Sequence, residues 1–212
     1  MAKNRALVEL LTRAGPAHSR VPSRLREVPI TAARERVLEL EALLHLRDGF
    51  RTLGGALYVR PSTTVAQIRG VDDWNGLTLW RGPWRHATTL YFFAEDVHGR
   101  QFALHRHGIV HFEPGTGAIE PFADTLEEWA AAVLDRTAEL GLEAVTAWEA
   151  EHGPLRAHER LQPEDPDALE LGISTQWRAR EDVDLMRRWV AVLRAHVAQP
   201  PTPLDTAAWW GA

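Results

Sequence analysis

Between Thr88 and Leu134 the chain reads TTLYFFAEDVHGRQFALHRHGIVHFEPGTGAIEPFADTLEEWAAAVL, and this stretch constrains the fold more than any other. The clusters Leu90-Tyr91-Phe92-Phe93, Phe102-Ala103-Leu104 and Ile109-Val110-His111-Phe112 carry the aromatic and β-branched residues that suit strands. The breaks between them, Glu95–Arg100 and His105–Gly108, have hairpin length. Thr125 and Glu128 then form a T-x-x-E capping box, and Leu126, Trp129, Ala130, Val133 and Leu134 recur at helical spacing. A meander of three strands feeding a helix predicts an α+β fold, a single domain with a mainly antiparallel sheet packed by helices.

The flanking sequence extends this reading. Met1–Arg13 suits a short helix with Leu7, Val8, Leu10 and Leu11 on an apolar face, and the proline-bearing stretch Gly15–Pro29 reads as a linker. Residues 1–30 are therefore an N-terminal helix and linker ahead of a domain at 31–199, with a Pro/Trp tail at 200–212. Thr31 is a candidate N-cap for a helix to about Arg47, and Gly49 sits where its C-terminus would want glycine. Leu53-Gly54-Gly55 is a turn into a strand at Ala56–Val59. A short strand is expected at Leu77–Trp80, a helical segment from Leu142 to Trp148, and a last helix from Glu181 to Val197. Pro154, Pro163 and Pro166 fragment the region before that helix.

Composition narrows the function classes. At 212 residues, 45% hydrophobic and with nine Trp, the chain can build its own core. The absence of cysteine excludes disulfides, thiolate metal sites and thiol nucleophiles. No stretch is long and apolar enough to span a bilayer, so the expectation is a cytoplasmic protein with no membrane partner. Net charge is −5, unevenly placed: residues 1–60 hold eleven Lys/Arg against six Asp/Glu, whereas residues 113–170 hold fifteen Asp/Glu against three Arg. A surface so acidic repels nucleic acid and attracts a basic protein.

Motifs for chemistry are sparse. His105, His107 and His111 fall at alternate positions, where one strand face would offer three imidazoles to zinc. Gly108 interrupts that face, and the pattern reads better as the wet side of an antiparallel strand. Glu95 and Asp96 follow the first strand, but neighbours on a strand point in opposite directions and do not share a reacting centre. Gly54-Gly55 lies between a helix and a strand, the reverse of a phosphate cradle, and Gly115 and Gly117 read as turn glycines. No serine sits in a nucleophile context. No catalytic, cofactor-binding or metal-binding residue is assigned, and no cofactor is expected. Trp129 and Trp189 fall on helical apolar stripes, whereas Trp74, Trp80 and Trp84 read as loop anchors or an exposed binding patch. Trp209 and Trp210 either dock on the domain or are offered to a partner.

The run Phe92-Phe93-Ala94-Glu95-Asp96, then Gly99, Gln101-Phe102, Val110, Phe112, Gly117 and Leu126-Glu127-Glu128-Trp129, resembles the SUKH superfamily of cell-wall assembly regulators and toxin immunity proteins. Gly49-Phe50-Arg51-Thr52-Leu53-Gly54-Gly55-Ala56-Leu57-Tyr58 also fits that family's helix–glycine–strand entry. The resemblance covers residues 31 to 140. His98, before the turn glycine, departs from it, and Leu161–Pro166 matches only faintly. The resemblance implies a non-enzymatic protein that binds and neutralises a toxin domain of nuclease or deaminase type by covering its active site. Expected contacts are Asp72, Asp73, Trp74, Glu95, Asp96, Glu113 and Glu120, all in or beside expected loops. Two other classes remain open at this point. One is a regulatory scaffold using the tail tryptophans, and the other is a His-dependent metalloenzyme.

Overall fold

The computed structural model describes residues 5–26, 28–164 and 176–196. Among these the chain is α+β, with one six-stranded antiparallel sheet, a separate two-stranded sheet and six α-helices. In chain order they are α1 (Arg5–Thr12), α2 (Arg34–Leu46), β1 (Phe50–Thr52), β2 (Leu57–Val59), α3 (Val71–Trp74) and β3 (Tyr91–Asp96). Then come β4 (Gln101–His105), β5 (Gly108–Glu113), β6 (Ala118–Ala123), α4 (Leu126–Asp135) and α5 (Leu142–His152). The chain continues through β7 (Glu159–Pro163) and β8 (Trp177–Glu181) to α6 (Asp182–His196). The main sheet runs β1 to β6 in sequence order, each strand hydrogen-bonded to the next. The Pro/Trp tail expected at 200–212 lies outside the described residues.

Both faces of this sheet are buried. Tyr91, Phe93, Phe102, Leu104 and Ile109 point to one face, where Leu126, Trp129 and Val133 of α4 and Leu40, Leu43 and Leu44 of α2 cover them. Phe92, Ala103, Val110, Phe112 and Ile119 point to the other. That second face is covered by Trp74, Trp80 and Trp84 and by Val183, Met186 and Val190 of α6. α1 joins the first layer: Leu10 is fully buried, and the Ala6 and Leu7 N–H groups donate to the Glu127 carboxylate at 2.6 and 3.1 Å. The carboxylate thereby meets the unpaired amides that open a helix.

Helix α4 starts as its sequence predicts. The Glu128 N–H donates to Thr125 Oγ1 at 3.2 Å, while Glu128 Oε2 accepts from the Asp124 N–H at 3.0 Å, one residue earlier than the reciprocal box requires. Helix α2 starts later than expected, with Ala33 at its N-cap, because Thr31 turns away to donate to the Thr89 carbonyl at 2.8 Å. The expected strand at Leu77–Trp80 is instead a single turn of π-helix at Leu77–Arg81, which brings Trp80 onto the sheet. β1, β6, β7 and β8 come without sequence expectation. β6 is an edge strand in which Pro121 removes one backbone donor and Glu120 is exposed, two devices that discourage a further strand.

Gly99 shows how a turn locks to a distant element. Its φ of +83° suits glycine, and a Cβ there would lie 2.7 Å from Leu185 Cδ2 on α6.

Candidate functional site

A β-bulge in β3 decides which groups meet at the centre of the molecule. The register between β3 and β4 slips between Phe92 and Ala94. Strict alternation would place Glu95 with Tyr91 and Phe93; the slip moves it to the tryptophan-covered face. There Tyr58, Glu95, Gln101 and Phe112 are successive cross-strand partners from β2 to β5. Arg60 follows two residues after Tyr58, and α6 and β7 bring Asp182 and Arg160 to the same place.

These groups form one buried cluster. Glu95 Oε1 accepts from Arg60 Nη2, and from Arg160 Nη2 at 2.5 Å. Arg60 Nη2 also reaches Asp182 Oδ2 at 3.0 Å. Gln101 Nε2 donates to Glu95 Oε2 at 2.6 Å, and Gln101 Oε1 accepts from Trp74 Nε1 at 2.9 Å. The guanidinium of Arg60 stacks 3.3 Å from the Trp74 ring centre, and that of Arg160 lies 4.1 Å from the Tyr58 ring. Two cations and two anions balance. Burial alone would lower Arg160, but Glu95 and Asp182 outweigh it and hold its pKa raised. Burial raises the Tyr58 phenol, whose hydroxyl has no hydrogen-bond partner. All four charged side chains are 5% exposed or less, so the cluster ties the C-terminal elements to the sheet and offers nothing to solvent.

The seven residues expected to contact a partner separate accordingly. Trp74, Glu95 and Asp96 are interior, not in loops. Asp96 closes the β3–β4 turn by accepting from the His98 and Arg100 N–H groups at 2.9 and 3.0 Å and from Arg100 Nε at 2.5 Å. Trp80 and Trp84 are buried with Trp74, so these three do not form an exposed patch. Glu113 is half-buried; burial raises its pKa, and a 3.1 Å hydrogen bond from the Gly115 N–H opposes the rise. Asp72 accepts from Tyr91 Oη at 2.5 Å and from the Arg26 N–H at 3.0 Å, and Asp73 from Thr64 Oγ1. Of the seven, only Asp73 and Glu120 are exposed.

The histidines do not converge. His105 sits at the end of β4 opposite Gly108, His107 is in the turn, and His111 pairs with Phe102 and lies against Phe122. Burial, aided by His107 and Arg106, lowers His105 to about 4, and burial also lowers His111. Among the described residues no group of three or more His, Cys, Asp or Glu is placed to hold a metal ion. His98, where the SUKH resemblance departs, stacks on Trp177 at 4.6 Å between ring centres.

No protein-family model, curated protein or solved structure matches the chain. The SUKH resemblance therefore rests on its sequence motifs alone. Among the described residues no helix is long and apolar enough to cross a membrane.

Exposed carboxylates gather in one stretch of the chain. Glu120, Asp124, Glu128, Asp135, Glu139 and Glu143 are all exposed along β6, α4 and the start of α5. Sequence reasoning found the acidic stretch but missed Arg60, Gln101, Arg160 and Asp182, which are far apart in the chain and carry no local signature of their pairing.

Proposed function

We propose that the chain is a non-enzymatic, SUKH-like immunity protein of the cytoplasm that binds a basic toxin domain and covers its active site. The observation that carries this reading is how the carboxylates are sorted. Glu95, Asp96 and Asp182 are interior and satisfied by protein donors, whereas Glu120, Asp124, Glu128, Asp135, Glu139 and Glu143 are exposed, with Arg136 among them. Exposed charge of one sign accelerates encounter with an oppositely charged partner, and a few anchors at the contact then set the lifetime of the complex. The contacts assigned are Glu120, Asp124, Glu128, Asp135 and Glu139. Asp73 lies in a groove rich in arginine and is set aside.

Co-expression with the active domain of a toxin encoded beside it is the test. Rescued growth and a co-purifying complex whose association slows with salt are expected. Unrescued growth together with no complex refutes the reading.

A further inference from the structure

Arg81 is a buried cation without a carboxylate. It is 3% exposed, and its Nη groups donate to the Asn75, Ala87 and Leu90 carbonyls at 2.6, 2.9 and 2.9 Å and to Asn75 Oδ1 at 3.2 Å. Its Nε–H has no partner. Burial lowers its pKa to about 10, the response of a charge whose environment holds only neutral dipoles. Buried charges are ordinarily paired.

Arg81 lines a groove of about 1150 Å³ between the 69–79 segment and α6. Arg26, Arg69 and Arg187 line it too, and Leu77, Leu79 and Pro29 supply apolar wall. Arg187 lies 3.8 Å from Asp184, both half or more exposed, and Arg26 and Arg69 form no ion pair among the described residues. Asp72 and Asp73 also line the groove, but their oxygens are engaged by Tyr91, Arg26 and Thr64. Among the described residues, four arginines against two aspartates leave the lining at +2.

We propose that this groove is a binding site for a small phosphate monoester. The phosphate would be held by Arg26, Arg69 and Arg187, with Arg81 as a fixed charge in the wall and the apolar residues against the ester's organic group. A phosphate monoester carries about two negative charges near neutral pH, which matches the lining. Guanidinium forks grip phosphate bidentately. The apolar wall calls for a ligand larger than the free ion.

The full-length protein is titrated calorimetrically with inorganic phosphate, phenyl phosphate and acetate at matched ionic strength. Saturable binding is expected, tightest for phenyl phosphate and weakest for acetate. The double variant R69A/R187A changes exposed or half-exposed side chains, so it should fold, as circular dichroism checks. It should weaken phenyl phosphate by about a hundredfold, or about tenfold per arginine lost. No saturable binding by either phosphate, equal binding of acetate, or undiminished binding by the folded variant would each overturn the proposal.

Discussion

The sheet face under α2 and α4 and the face under residues 71–90 and α6 are both dry and aromatic, yet they are closed by different physics. On the first, helices satisfy their own backbone and contribute apolar side chains such as Trp129, which packs edge-on against Phe93 and Phe102 while its buried indole N–H has no hydrogen-bond partner. On the second, an irregular segment brings backbone groups that no ladder satisfies, and side chains do that work instead. Arg81 holds three carbonyls, Asn75 Nδ2 holds those of Val71 and Phe92, and Trp80 Nε1 donates to the Trp74 carbonyl. A face covered by helices is specified by shape, whereas a face covered by loop is specified by donors and acceptors.

This contrast can be broken by substitution. The largest effect is expected at Glu95, because Glu95→Ala strands Arg160 in the interior and leaves Arg60 with Asp182 alone. A loss of about 3–5 kcal/mol in urea unfolding is expected, and a loss below 1 kcal/mol would mean that the cluster does not hold the second face. Arg81→Met keeps the bulk but takes a donor from the Asn75, Ala87 and Leu90 carbonyls, of which Ala87 keeps the Leu90 N–H at 3.2 Å, and should cost about 3 kcal/mol. Trp129→Phe on the helical face removes no hydrogen bond and should cost about 1–2 kcal/mol. If Trp129→Phe melts at a lower temperature than Arg81→Met, the contrast between the faces is wrong.

Acid provides a milder probe. The neutral form of His105 is favoured in the fold, so the unfolded chain takes up its proton first as pH falls from 6.5 toward about 4, and stability declines over that window. His18, His98 and His111 shift in the same direction, and Glu113 opposes them. Allowing for screening, His105 contributes on the order of 1–2 kcal/mol, and His105→Gln should flatten the slope of the unfolding midpoint with pH. Thr125→Ala should remove about 1 kcal/mol by uncapping α4. Smallest of all, Glu139→Lys should leave stability within about 0.5 kcal/mol while slowing association with a basic partner.

The same contrast explains what was legible in the sequence. The meander, its helix α4 and the final helix write their periodicity into neighbouring residues, so Leu126, Trp129 and Val133 announce themselves. Trp74, Trp80 and Trp84 do not, since burial in an irregular segment has no period, and they read as loop anchors or exposed. Glu95 looked like a turn carboxylate because the bulge that redirects it leaves no mark in the sequence. Strands β7 and β8 were hidden for a related reason. Proline ends the first, and charged residues fill the second, in which no residue is fully buried. The acidic surface was readable because charge, unlike pairing, is carried by each residue alone.

The buried cluster also bears on synthesis. Its members come from residues 60, 95, 160 and 182, so the counter-charge on α6 is the last of them to be synthesised. Until then Arg60 lacks one of its two carboxylates, and Val183, Met186 and Val190 are missing from the tryptophan face. The charge balance of the interior thereby waits on α6.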